Sequence, residues 1–159
     1  DCRDLDAIKT WLDEHVVGQP VTTSDFRERT LDQRRDELRA QTVAQYQDTL
    51  ATGFTDANGV TWSAAGDARQ RILDLTQRIQ EYRAGKMASA LPNGKSTVKL
   101  RDVTNTAHDV GPDKIVSLAE QGSDFVDKAE DRLEQLLADI AAATSHADLN
   151  AIDVTTGWL

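Results

Sequence analysis

"GFTDANGVTWSAAGDARQRI", residues 53–72, holds the one Asp-x-Asn-Gly of this 159-residue chain, and its reading decides how the rest divides. Phe54 and Thr55 stand before the turn, and Val60, Thr61 and Trp62 follow it. Aromatic and β-branched residues around Asn-Gly predict a tight hairpin, with Asn58 and Gly59 both at positive φ. A calcium loop needs further oxygen ligands at fixed steps and a distal glutamate, and this stretch supplies neither. The turn is therefore read as a hairpin corner, with Trp62 as a packing anchor or an interface residue.

Upstream, Ser24 to Thr52 has a helical pattern that is sparsely apolar. Leu31, Leu38, Thr42 and Tyr46 fall near one line among dense charges of both signs. Asp32 with Arg35 and Asp36 with Arg39 are helical i,i+3 neighbours, and Gly53 suits the C-terminal cap. So narrow a stripe needs a partner to cover it. Before it, "DLDAIKTWLDEHVV" predicts a short amphipathic helix with Leu5, Ile8, Trp11, Leu12 and Val16 on one face, ended by the linker "GQPVTT".

Downstream, Ser63 or Gly66 opens a helix whose seam is Ala68, Ile72, Leu75, Ile79 and Tyr82, closed by Gly85. Asn93-Gly94 marks a second turn. Alternation at Val98, Leu100 and Val103 then predicts a strand, paired with the first hairpin or with its own upstream arm near Leu91. The expected result is one small sheet of three or four strands. "RDVTNTAHD", residues 101–109, reads as a polar loop in which Arg101, Asp102, Asn105 and His108 bond to one another and to backbone.

Gly111-Pro112 starts the longest helix, with proline where its missing N–H costs nothing. Its apolar stripe runs from Ile115 through Leu118, Gly122, Phe125, Val126, Ala129, Leu133, Leu136 and Leu137 to Ile140, ending near Ala143. Gly122 on that stripe predicts a close backbone approach or a bend. Eight acidic against three basic residues between Pro112 and Ala143 make its outer face acidic. Ser145 with Asp148 predicts a capped short helix, and "TTGWL" a terminus tucked onto the fold.

The class is α+β, mainly α: long helices with a small antiparallel hairpin sheet between them, in a helix-mediated oligomer. Aromatic residues are only 5% of the chain, so its core is aliphatic, and a net charge of −9 argues against a nucleic-acid partner. No apolar run approaches the ~20 residues a membrane span needs, so no membrane insertion is expected. Cys2, the lone cysteine, excludes an intrachain disulfide and leaves an idle thiol or an interchain bridge. His15, His108 and His146 share no metal-ligand spacing, and no phosphate-cradling or nucleophile motif occurs. No cofactor, no metal and no catalytic residue is expected; the carboxylate pairs Asp36/Glu37 and Glu130/Asp131 read as solvated surface.

Four stretches in order, "GFTDANGVTWSAAGDARQRI", "KLRDVTNTAHDVGPDKIVSLAEQG", a long helix and "AIDVTTGW", resemble an uncharacterised domain family of bacteriophage tail-associated proteins. The likeness covers roughly residues 50–159, and this chain differs in its more acidic long helix. The resemblance implies a structural virion component, a tail-fibre or baseplate-associated connector that forms a homo-oligomer, commonly a trimer in fibres. It implies other tail or fibre proteins as partners, a role around host attachment, and synthesis in the host cytoplasm before incorporation into the virion. The family carries no catalytic residues to transfer. The organisation expected is an attachment helix and linker (1–23), a charged connecting helix (24–52) and the tail-associated domain (53–159). Leu5, Ile8, Trp11, Leu12, Leu31, Leu38 and Trp62 are the partner-facing candidates. The competing readings are a non-virion assembly chaperone for a fibre protein, and a glycan hydrolase using carboxylates such as Asp102 and Asp109.

Overall fold

A computed structural model describes residues 23–158, with residues 23–29 described in backbone only. The helix expected over residues 5–16, with Leu5, Ile8, Trp11 and Leu12, lies outside the described residues. The elements run α1 (Thr23–Thr52), β1 (Phe54–Thr55), β2 (Thr61–Trp62), α2 (Gly66–Arg83), a 3-10 turn (Pro92–Gly94), β3 (Val98–Arg101), β4 (Ala107–Val110), α3 (Pro112–Ala142) and α4 (His146–Ala151).

The fold is α+β and mainly α, organised on α3. At about 1.5 Å per residue its 31 residues span about 45 Å. One apolar stripe along that length serves two cores. Over the first half of α3, Ile115, Leu118 and Val126 pack with Ile72, Leu75 and Ile79 of α2, with Phe54 and Trp62, and with Leu91, Leu100 and Val110. Over the second half, Leu136 and Ile140 pack with Leu38 of α1 and with Ala143, Leu149, Val154 and Trp158. Ile79, Ile115, Leu118 and Ile140 are buried, each contributing about 1.5–3 kcal/mol from removal of apolar surface.

Both partner helices run antiparallel to α3. Arg35 on α1 donates to the Ala143 carbonyl at the far end of α3, whereas Tyr46, eleven residues on, donates to Glu130. On α2, Arg83 pairs with Asp113, while Ile72 faces Gly122 across a small crevice. Gly122 is the close approach its position predicts: a Cβ there would stand 3.1 Å from Cε1 of Phe54. It is a side chain, not another backbone, that needs the space. Gly53, at φ 78°, ends α1 as expected and lies so tightly under the Trp62 carbonyl that a Cβ would fall 1.9 Å from its oxygen.

Three expectations change. The β structure is two separate ribbons, β1–β2 and β3–β4, and not one sheet of three or four strands. β3 pairs downstream with β4, in the register Val98↔Val110, Leu100↔His108, and not with the first hairpin or the arm near Leu91. On α2, Ile72, Leu75 and Ile79 are buried, but Ala68 and Tyr82 at the two ends of the expected seam are exposed, so the buried face is shorter than the apolar pattern predicts.

Candidate functional site

The two hairpins meet over the start of α3, and each is organised by an aspartate at its first turn position. In the first, Asp56 N–H donates to the Val60 carbonyl at 2.9 Å and Gly59 N–H to the Asp56 carbonyl at 2.9 Å. Oδ1 of Asp56 accepts the N–H groups of Asn58 (2.8 Å) and Val60 (3.1 Å), and Oδ2 accepts Nε1–H of Trp62 at 2.9 Å. Only Gly59 has positive φ, at 78°, so the expectation of two such residues is corrected. The loop is a turn followed by one left-handed residue, for which glycine at that single position suffices.

The second hairpin repeats this frame. Asp102 N–H donates to the Thr106 carbonyl at 3.0 Å, and Asn105 N–H to the Asp102 carbonyl at 2.9 Å. Oδ1 of Asp102 accepts the N–H groups of Thr104 and Thr106, both at 2.9 Å. Asn105 stands at φ 67° where Gly59 stands in the first, and His108 Nε2 lies 2.9 Å from Oδ2 of Asp102. The common spacing is Asp-x-x-(Gly/Asn)-x-x-(Trp/His). One oxygen closes the turn and the other holds a ring nitrogen six residues on. The rings meet: Trp62 and His108 have centroids 5.4 Å apart at 59°, and Val103 N–H donates to the Thr61 carbonyl beside them at 3.0 Å.

The carboxylates differ in their surroundings. The Asp56 side chain is 1% exposed and takes a fourth donor, Nζ of Lys114 in the first turn of α3, at 2.7 Å. Burial pushes its pKa up, but the hydrogen bonds from Lys114, Trp62, Val60 and Asn58 together outweigh burial and hold it well below the usual carboxylate range. Asp102 is less buried, at 11% exposure. Hydrogen bonds from His108 first, then Thr104, lower it to about 2. Both are ionised at neutral pH with their oxygens occupied. A general acid needs a proton to give, and neither holds one there.

The same economy governs the C-terminal end. Asp148 forms a capping box with Ser145, and its pKa falls chiefly through that serine and Thr144. Asp153 accepts from the Thr155 and Thr156 hydroxyls, which lower its pKa. Arg132 donates to the carbonyls of Asp153 and Thr156, and Trp158 donates to the Val154 carbonyl while its ring lies 6.4 Å from that of Tyr46.

Of the partner-facing candidates within the described residues, Leu38 and Trp62 are 2% and 3% exposed in the chain's own cores. Leu31 packs half-buried on the second core. The stripe on α1 is thus covered by this chain's α3, α4 and terminus, which correct the reading of those residues as free for another subunit. Arg101, Asp102, Asn105 and His108 do come together, with Arg101 donating to the Asn105 carbonyl at 2.6 Å. Asp36, Glu37, Glu130 and Asp131 are exposed, and Asp109 pairs with Lys99. Among the described residues no three His, Cys, Asp or Glu side chains gather as a metal would require, and no helix is long and apolar enough to cross a membrane. A groove of about 430 Å³ lies between α2 and the segment before β3, lined by Arg71, Arg78, Glu81, Met87, Pro92 and Val98 among others. The Asp102, Asn105 and His108 cluster is as the sequence predicts, whereas the matching role of Asp56 is not among the expectations; its signal is the six-residue step from aspartate to a ring nitrogen, which occurs in both hairpins.

Compared with protein-family models, with curated proteins and with solved structures, the chain matches none.

Proposed function

We propose that this chain is a structural component of a bacteriophage tail, a connector associated with a tail fibre or the baseplate that works by protein packing and without catalysis of its own. One observation carries the reading. The stretches that resemble the tail-associated family are those whose polar residues have internal architectural jobs. Gly53, Asp56 and Trp62 build the first hairpin, and Asp102, Asn105 and His108 the second. Asp153 and Trp158 fasten the terminus over α1 and α3. A resemblance carried by such residues is a resemblance between packing modules. Among the described residues, the surface left for other tail proteins is the charged outer face of α1 and the acidic face of α3; residues 1–22 are assigned the attachment role on this reading by their sequence alone.

The full chain, purified, should form a defined homo-oligomer by light scattering; a monomer at every concentration would defeat the connector reading. Deleting residues 1–22 should abolish assembly while circular dichroism and thermal unfolding of the remainder stay unchanged. Peptide mass spectrometry of purified particles of a phage encoding the chain should find it there. Its absence from particles, with its presence in infected cells, would favour the assembly-chaperone alternative.

A further inference from the structure

The chain has two Asn-Gly pairs, and the structure treats them differently. Asn58, Gly59, Asn93 and Gly94 are all exposed, so access to solvent does not separate them. Their backbones do. Asn58 N–H is held by Asp56 Oδ1 at 2.8 Å, Gly59 N–H by the Asp56 carbonyl at 2.9 Å, and Val60 N–H by Asp56 Oδ1 at 3.1 Å. The reacting nitrogen, that of Gly59, is thus committed inside a buried-carboxylate frame that Trp62 and Lys114 fix to the core. Around the second pair the bonds are at the long end of the range: Gly94 N–H to the Leu91 carbonyl at 3.3 Å and Lys95 N–H to the Pro92 carbonyl at 3.4 Å. Asn93 itself sits at φ 58°, a left-handed conformation that costs a side-chain-bearing residue free energy and that rotation would relieve.

We infer that Asn93-Gly94 is a site of spontaneous deamidation and isoaspartate formation, while Asn58-Gly59 is protected by its hairpin frame. The main-chain nitrogen of Gly94, having given its proton to solvent base, attacks Cγ of Asn93. A new N–C bond forms, the bond from Cγ to the amide nitrogen breaks, and that nitrogen takes up a proton and leaves as ammonia. Water then opens the cyclic imide at either carbonyl, which leaves aspartate or isoaspartate at position 93. Either product adds a negative charge next to Pro92 on the rim of the groove that carries Arg71 and Arg78, and the isoaspartate form adds a methylene to the main chain. The modification therefore changes the charge beside this groove, while Asn93 itself belongs to neither core.

The test is incubation of the intact chain in mildly alkaline buffer, followed by tryptic digestion and mass spectrometry. Asn93 lies in fragment 87–95, where it is the only amide side chain, and Asn58 lies in fragment 40–69 as its only asparagine. Fragment 87–95 should gain the deamidation mass at least about tenfold faster than fragment 40–69, equivalent to about 1.4 kcal/mol in barrier. In concentrated urea, where no frame exists, the two rates should converge. Asn93→Gln should stop the gain in fragment 87–95 with the fold intact. Equal native rates, a faster Asn58, or a native chain unchanged at both sites while the denatured chain reacts, would each overturn the inference. Asp56→Ala should speed reaction at Asn58, and the urea comparison stands if that variant does not fold.

Discussion

The first hairpin and the second share a frame but not a foundation. Both use an aspartate to close the turn and to hold a ring nitrogen, yet Asp56 reaches a lysine on α3 and is shut from water, while Asp102 answers only to its own hairpin and a histidine at the rim. The frame is a local solution, available wherever an aspartate precedes a left-handed residue by three positions. Whether it bears on the whole fold depends on what else touches the second oxygen. Asp56 couples turn, core and long helix; Asp102 mostly couples residues within six positions of itself.

That difference predicts a hierarchy. Asp56→Ala leaves Lys114 without its partner and three N–H groups without an acceptor. Breaking a buried pair costs about 3–5 kcal/mol, and the low end applies because Lys114 keeps 29% exposure and can turn toward water. Asp102→Ala should cost clearly less, since its N–H partners lie near solvent. Urea unfolding of the two variants checks this, and an equal or reversed order would show that the shared frame, not its foundation, sets stability.

The left-handed position sharpens the comparison next. A Cβ at Gly59 meets nothing within 4 Å, so Gly59→Ala isolates backbone strain and should cost about 1–2 kcal/mol. Asn105→Gly, the converse change, should move stability by less than about 1 kcal/mol, because relief of strain and loss of chain stiffness oppose each other. A large loss from Asn105→Gly would mean that its side chain, and not its conformation, matters.

Acid separates the hairpins by another route. The folded pKa of Asp102, about 2, lies below the unfolded value of about 3.9. Its contribution is therefore fully present above the unfolded value and is lost as pH falls through that window toward the folded one. Asp56 is depressed as well and adds to the same acid loss. Thermal unfolding from neutral pH down to the acid limb should show stability falling in that window. Asp102→Asn should flatten the fall without removing it; a wild-type chain with no acid loss would contradict both assignments.

The sequence discloses these two regions unequally for a physical reason. Asn58-Gly59 between Phe54 and Trp62 announces a hairpin because glycine and flanking aromatics are the residues such a turn needs. In the second, Asn105 does glycine's work and the strand after it, "AHDV", shows little hydrophobic alternation, so β4 reads as loop although its cluster of Asp102, Asn105 and His108 is legible. The stripe of α3 is evident from its 3.6-residue period, and Gly122 as a close approach follows from its place on that stripe. What covers α1 is not evident. Leu38 and Thr42 are its only buried residues among those described, and their cover comes from residues about a hundred positions away, in α3 and after it. Separation in sequence hides that match, and a thin stripe with no visible partner looks like an invitation to another chain.

The smallest expected effect concerns the point where the hairpins touch. His108 contributes two things, a nitrogen for Asp102 and a ring against Trp62. Alanine removes both, so it cannot apportion them. Glutamine keeps an N–H donor on a side chain long enough to approach Asp102 while removing the ring. If the ring contact matters by itself, His108→Gln should lose about 0.5–1 kcal/mol, the usual increment for such pairs, and Trp62 fluorescence should change as its neighbour goes. His108→Ala should lose more, by the bond to Asp102. Should glutamine behave like the native histidine in both stability and Trp62 emission, the hairpins would be joined through the Val103–Thr61 bond and their shared core, and the rings would be neighbours without coupling.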